Sequence, residues 1–243
     1  MSDLTNFPNH FLASLSAEDN DLLRPHLHHQ ELTFGTVLFR AEEQMPRVYF
    51  PNSGIISLVV GLSDGSMVEA GMLGKNSVVG GGAALDGRVA VNDGLVQASG
   101  SGLTIDTNVL SNFVRESETL RAALMRHELM SYAHAQQIAA CNARHATEER
   151  MCRWLMQTRD LLESDTLPLT QEFLAHMMGV QRTSVTLIAR KLQESGLISY
   201  RRGHIQVLDA EHLQEASCEC YETIKRRFKH LIGWNPQFGR QEN

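Results

Sequence analysis

The stretch Leu167 to Val207, LPLTQEFLAHMMGVQRTSVTLIARKLQESGLISYRRGHIQV, decides how this chain is read. Its pattern predicts a helix, a tight turn, a second helix and a small hairpin. Thr170 is placed as an N-cap, because its hydroxyl can accept a hydrogen bond from an orphan amide of the first turn. Phe173, Leu174 and Met177 then fall on one side of a short helix. Gly179 interrupts it, where a residue without Cβ takes the turn conformation at little cost, and Val180 anchors the turn. Val185, Ile188 and Leu192 recur at spacings of 3 and 4, the inward stripe of a second helix. Arg182, Thr183, Ser184 and Thr186 are left facing outward near its start.

Such an outward set suits a helix that reads the major groove. A guanidinium can fork onto guanine O6 and N7, and short hydroxyls can meet bases or phosphates. Gly196 ends the helix. Leu197 to Tyr200, Arg201 to His204 and Ile205 to Val207 read as strand, basic turn and strand. This hairpin would form a wing, with Arg201 and Arg202 placed to meet phosphates. A plain helical hairpin with a solvated basic face would not require the turn glycine, the hydroxyl-rich face and the basic wing to agree.

The chain has 243 residues, of which 42% are hydrophobic, enough for one large or two modest domains with real cores. No apolar run reaches membrane-spanning length, and Met1-Ser2-Asp3-Leu4 lacks the basic and apolar regions of a signal peptide, so a soluble, cytoplasmic protein is expected. Net charge is −6, but it is unevenly spread. Residues 1–110 hold 5 of the 22 Lys and Arg against 12 of the 28 Asp and Glu, so the remainder is slightly basic. Basic residues cluster at Arg201-Arg202 and Lys225-Arg226-Arg227, and local patches rather than total charge decide phosphate binding.

Taken in order, residues 9–24 suggest short helices, with Ser16 to Asp19 as a cap and acidic first turn. From about Glu31 to Asp106 short apolar runs alternate with Gly, Pro, Asn and Asp turns, the spacing of a small β-barrel or roll. From Thr107 the period becomes helical, and Ser117 to His145 contains neither Pro nor Gly. Leu120, Leu124, His127, Ser131, His134, Ile138 and Cys141 repeat at 4 and 3 along it. This stripe either packs on the chain's own roll or forms a two-fold seam, and the seam is the expectation, with His and Ser as polar interruptions. Glu148 to Leu162 and Glu211 to Ile232 read as further helices, joined to the central motif by Ser164-Asp165-Thr166 and the wing.

This order of parts resembles the Crp/Fnr family of bacterial transcription regulators. The resemblance covers nearly the whole chain and is most specific over Thr170 to Val207, where Gly-Val-Gln-Arg-Thr-Ser-Val matches the family's turn and the start of its recognition helix. The runs Val48 to Gly54 and Arg144 to Leu155 also look like a Crp/Fnr subgroup. The fold implied is α+β: an N-terminal cyclic-nucleotide-binding-like β-roll with flanking helices (1–116), a long dimerisation helix (117–145), a C-terminal winged helix-turn-helix (146–233) and a tail (234–243). The partners implied are a second copy of the chain, palindromic promoter DNA and RNA polymerase. The DNA-contacting set would be Thr170, Gln181, Arg182, Thr183, Ser184, Thr186, Arg190, Arg201 and Arg202. Arg182 stands where the family reads guanine. Thr183 replaces a base-contacting Glu of many members and Leu187 a second reading Arg, so the operator need not be the familiar one.

The sensor half departs from the family's pattern. Cyclic-nucleotide binders carry a Gly-Glu pair followed about ten residues later by Arg-Ser or Arg-Thr, because the Arg neutralises the phosphate and the Glu accepts from the ribose hydroxyl. Here Val79 to Asn92 supplies Gly80, Gly81, Gly82 and Arg88, with neither Glu nor Arg in place. The positions that read adenine are Ala135 and Gln136. The pocket therefore reads as degenerate for cyclic AMP, with another effector or none.

Other sensors fare worse. An iron–sulfur cluster needs cysteines near the N-terminus, and a haem needs a His or Cys in the roll; Glu31 to Asp106 has neither. Cys218 and Cys220 would point about 200° apart on a continuous helix, so Cys141, Cys152, Cys218 and Cys220 are expected to be buried, inert thiols, with no metal and no cofactor. His26, His28 and His29 form a cluster that could bind metal, but exposed histidines after a helix are the commoner case. His127 and His134 could each face its mate across the seam and respond to pH or metal, but polar residues fixing coiled-coil register are the plainer reading. No nucleophile–base pair, phosphate loop or paired metal ligands suggest an enzyme. The alternative from another class is a nucleotide-sensing module acting through protein partners.

Overall fold

The computed structural model describes residues 7–87, 89–201 and 203–233. Two short helices, α1 (His10–Ala13) and α2 (Ala17–Leu23), are capped by Asn9 and Ser16, whose side chains accept from the Leu12 and Asp19 amides. Seven strands follow: β1 (His28–Leu32), β2 (Val37–Phe39), β3 (Arg47–Pro51), β4 (Ile55–Gly61), β5 (Met67–Leu73), β6 (Asp93–Ala98) and β7 (Gly100–Asp106). They form two antiparallel sheets, β1-β7-β3 and β2-β6-β4-β5. Leu32, Tyr49, Phe39, Ile56, Leu73 and Val96, drawn from both sheets, make one apolar core. Gly100 allows the turns on either side to close: a Cβ there would stand 2.4 Å from the Ser53 carbonyl oxygen, nearer than two non-bonded heavy atoms tolerate.

The roll begins at His28, three residues before its expected edge. His28 and His29 pair with Thr104 and Leu103, so the expected post-helix histidines are edge-strand residues. The roll thus contains histidines after all, but both are exposed and supply no interior ligand. Their polarity hid the strand, since an edge strand can stay solvated.

Helices α3 (Thr107–Glu116), α4 (Glu118–Arg144) and α5 (Thr147–Leu162) come next. Ser117 caps α4 by accepting from the Leu120 amide, and its own hydroxyl donates to Asp19. Then follow β8 (Thr166–Leu167), α6 (Gln171–Met178), α7 (Arg182–Glu194), β9 (Ile198–Arg201) and β10 (His204–Val207). The wing is a three-stranded sheet, β8-β10-β9, because the expected connector pairs with β10.

The expected final helix is broken in two, α8 (Ala210–Glu215) and α9 (Cys220–Ile232). The Ala216 amide closes α8 on His212, and the Ser217 hydroxyl donates to the Gln214 carbonyl at 2.6 Å, competing with the helix ladder. The break turns Cys218 and Cys220 to the same side, so the expected divergence of their side chains does not occur. The expected tail, 234–243, lies outside the described residues. No helix among the described residues is long and apolar enough to cross a membrane.

The stripe expected to form a dimer seam is an intrachain one. Leu120 and Leu124 pack with Phe11, Phe50 and Leu110; Met130 and Ile138 pack with Ile224 and Phe228 of α9. Cys141, His127 and His134 are buried as well, and only Ser131 is half-exposed. His127 accepts the Val78 amide at Nε2, and burial lowers its pKa to about 4. Both histidines are enclosed by the chain's own residues. What α4 leaves in solvent is another stripe, Met125, Leu129 and Tyr132, exposed by 52%, 60% and 63%.

The largest core is continuous from the roll into the helix-turn-helix. Ile55, Val59, Met72 and Leu95 share it with Trp154, Leu155, Leu174, Val185 and Ile205. The Phe34 and Phe173 rings stand 5.5 Å apart, and Val68 lies under Gly179. At this junction the Trp154 indole N–H donates to buried Glu69 at 2.9 Å. The Ser57 hydroxyl, which has one proton, lies 2.8 Å from Glu69 and 2.5 Å from the Gln97 carbonyl oxygen. A protonated Glu69 completes this chain by donating to Ser57 while Ser57 donates to Gln97.

Burial accordingly raises the Glu69 pKa from 4.5 to about 7, against the opposing pull of Ser57, Arg153 and Trp154. The folded state then holds a proton that the unfolded chain releases near pH 4.5. Stability falls as pH rises from the unfolded to the folded pKa and levels off above it, a change of roughly 3 kcal/mol. Glu69→Gln keeps both hydrogen-bonding roles and should remove this component. Urea unfolding at pH 5 and pH 8 measures it; parallel changes in both proteins would refute it.

Candidate nucleic-acid interface

The helix-turn-helix is fixed by three local choices. Thr170 accepts the Phe173 amide at 3.1 Å, as its type and position require. Gly179 ends α6 in the left-handed conformation, φ 62 and ψ 41, which glycine adopts without Cβ strain. Val185, Ala189 and Leu192 are buried, and Ile188 packs against them. One face of α7 is therefore held in the core, and the opposite face is determined.

That face carries Arg182, Thr183, Thr186, Leu187 and Arg190, all exposed, with Gln181 just before it. Ser184 departs from the expectation, since it is half-buried beside Val185. The Thr186 hydroxyl lies 2.8 Å from Gln171 Oε1 and 3.0 Å from the Arg182 carbonyl. Leu187, at 69% exposure, is an apolar side chain in the middle of a polar face. Arg201 is exposed on β9. Arg202 lies outside the described residues.

The basic groups here have acidic neighbours. Arg182 stands 3.9 Å from Glu172, Arg190 bonds Glu194 at 2.8 Å and Lys191 bonds Glu148 at 2.7 Å. Exposed pairs of this kind contribute little, because solvent and salt screen them. A phosphate or guanine acceptor can displace such a carboxylate with little loss.

A second site lies between the roll and α4, a cavity of about 370 Å³. Phe39, Leu58, Leu73 and Val78 give it apolar walls, Gly80 and Gly82 line one side, and Ala135 and Tyr132 lie on the helix side. Its lining among the described residues includes no Lys or Arg; Arg88 lies outside them. The Gly82 amide donates to Glu128 of α4, and burial still raises the Glu128 pKa. A Cβ at Gly81 would stand 3.2 Å from one Glu128 oxygen, and a Cβ at Gly82 would stand 3.3 Å from the other. The protein's own carboxylate thus occupies the glycine-rich turn.

Residues 149–216 match the Crp-like helix-turn-helix domain. Over most of its length the chain superposes on regulators of known structure. These include FixK2 of Bradyrhizobium japonicum (TM-score 0.68, 15% identity, 79% of this chain and 98% of that one). A Crp/Fnr-family regulator of Thermus thermophilus gives a TM-score of 0.65 at 20% identity, covering 78% and 98%. The c-di-GMP-responsive global regulator CLP of Xanthomonas campestris gives 0.64 at 17%, covering 79% and 99%. The chain has the Crp/Fnr regulator fold. No curated protein matches it by sequence.

Within this fold the cap Thr170, the turn Gly179 and the exposed face of α7 lie where the sequence puts them, because caps and turn glycines are local signals. It missed Glu128 and the stripe Met125, Leu129 and Tyr132. Periodicity reports that stripes exist on α4 but not what each one packs against.

Proposed function

We propose that this chain is a dimeric, sequence-specific DNA-binding transcription regulator that does not take its command from cyclic AMP. The observation that carries this reading is the face of α7: its far side is locked in the core while Arg182, Thr183, Thr186, Leu187 and Arg190 meet solvent together. Arg182 would fork onto guanine, the hydroxyls would meet base edges, and Leu187 would contact a thymine methyl. Thr170, Gln181 and the wing Arg201 would set register on the phosphates.

Dimerisation would use Met125, Leu129 and Tyr132, whose spacing of 4 and 3 puts them on one exposed face of α4. Pairing there would present two reading helices to half-sites one helical turn apart. Leu129→Glu places a charge at the centre of that face and should weaken the dimer by about 2 kcal/mol, roughly 30-fold. Light scattering across a dilution series reads it; an unchanged dimer would remove α4 as the interface.

The cavity supports a different effector. A cyclic phosphate would meet Glu128 at the glycine-rich turn where the family's pattern supplies an arginine. Like charges in a buried site repel strongly. Operator selection from random duplex DNA, with the purified protein alone and with added cyclic AMP or cyclic di-GMP, tests the whole reading. The second nucleotide is included because the Xanthomonas relative responds to it. An inverted repeat recovered without nucleotide is expected. Recovery only with cyclic AMP would overturn the effector reading, and no enrichment under any condition would favour action through protein partners.

A further inference from the structure

Four side chains outside both sites converge where α4 meets α9. Cys141 and His145 are one turn apart at the end of α4; Cys218 and Cys220 arrive from the break before α9. Cys141 Sγ and Cys218 Sγ are 3.5 Å apart, and Cys220 Sγ is 3.5 Å from His145 Nδ1. The four ligand atoms all lie within 4.8 Å of one another. Zinc bonds of about 2.3 Å to sulfur and 2.0–2.1 Å to nitrogen make a tetrahedron with edges of roughly 3.5–3.8 Å. The groups need only small shifts to reach it.

We propose that Cys141, His145, Cys218 and Cys220 bind one zinc ion, a Cys3His site joining α4 to α9. The surroundings match what such a site needs. Glu219 lies 3.1 Å from His145 Nε2, so it can take that N–H and leave the Nδ1 lone pair directed at the cluster. Gln137 donates to Cys220 Sγ at 3.0 Å, a bond a thiolate accepts better than a thiol. Three thiolates and a dication carry one negative charge, and Arg150 and Arg153 act on the cluster as positive neighbours. Thiolate-rich tetrahedral sites select zinc among abundant divalent ions. Cys152 stands apart in α5, where burial pushes its pKa up to about 12. The ion would lock the end of α4 to the start of α9.

The test is metal content and cobalt substitution in the full-length chain, expressed with zinc and purified under reductant. One zinc per chain is expected, exchangeable for Co(II) with a thiolate-to-cobalt charge-transfer band and intense tetrahedral d–d bands. Cys152→Ala should keep that spectrum and Cys220→Ser should lose it. Glu219→Gln should still bind one ion at saturation with affinity lower by about 10–100-fold. Wild-type protein with free thiols and no tetrahedral cobalt spectrum would overturn the proposal without relying on any variant. So would an unchanged spectrum in Cys220→Ser. A Cys141–Cys218 disulfide trapped from cells would overturn it in favour of a redox pair.

Discussion

Under the proposed reading, Arg182→Ala should lower operator affinity by about 2–6 kcal/mol, some 30-fold to 10⁴-fold, and leave binding to random DNA nearly unchanged. Each bidentate arginine–guanine contact supplies roughly 1–3 kcal/mol of discrimination, and the two half-sites of a dimer add. The side chain is exposed at the first turn of α7 and its contact with Glu172 is 3.9 Å long, so its loss should barely affect folding. Arg182→Lys should not rescue, because an ammonium lacks the planar fork. Anisotropy titrations against the selected operator and a scrambled duplex, at matched salt, read both quantities. The slope of log affinity against log salt should hardly move, since it counts phosphate contacts. Equal losses on both duplexes would show that Arg182 holds phosphate rather than reading sequence.

Trp154→Ala is the most damaging single change expected for stability. The side chain is 2% exposed in the core that joins the roll to the helix-turn-helix. Truncating a buried aromatic costs about 3–5 kcal/mol through lost burial and the cavity left behind. The indole N–H also leaves Glu69, stripping a donor from a buried carboxyl at about 1–3 kcal/mol. At about 2–4 °C per kcal/mol for a chain of this size, the melting temperature should fall by roughly 10–30 °C. Trp154→Phe separates the two components, because it keeps most of the volume and loses only the donor. If Trp154→Phe costs as little as a surface change, the Glu69 contact contributes nothing. A double-mutant cycle with Glu69→Gln, run at pH 8, isolates their coupling.

Much of the architecture was legible because its signals are local. A run without Gly or Pro from Ser117 gives α4, and Thr170 and Gly179 give both ends of α6 to the residue. The alternating runs give six of the seven roll strands, while β1 was obscured by His28-His29-Gln30, a polar sequence at a solvated edge. The illegible parts depend on what packs against what. Leu120, Leu124 and Ile138 and the rival stripe Met125, Leu129 and Tyr132 both have helical spacing, and only the position of the roll and α9 decides which is covered. The convergence of Cys218 and Cys220 was hidden for the same reason. A continuous helix separates Cys218 from Cys220, and only the break after Ala216 brings them together on Cys141.

The continuous core has a consequence for anyone who would cut the molecule. A fragment beginning near residue 146 keeps the whole reading motif but bares Trp154, Leu155 and Leu174 where Ile55, Val59 and Met72 had covered them. Such a piece carries a sticky apolar wall of the kind that drives aggregation. The reading motif is better obtained with its roll attached than excised.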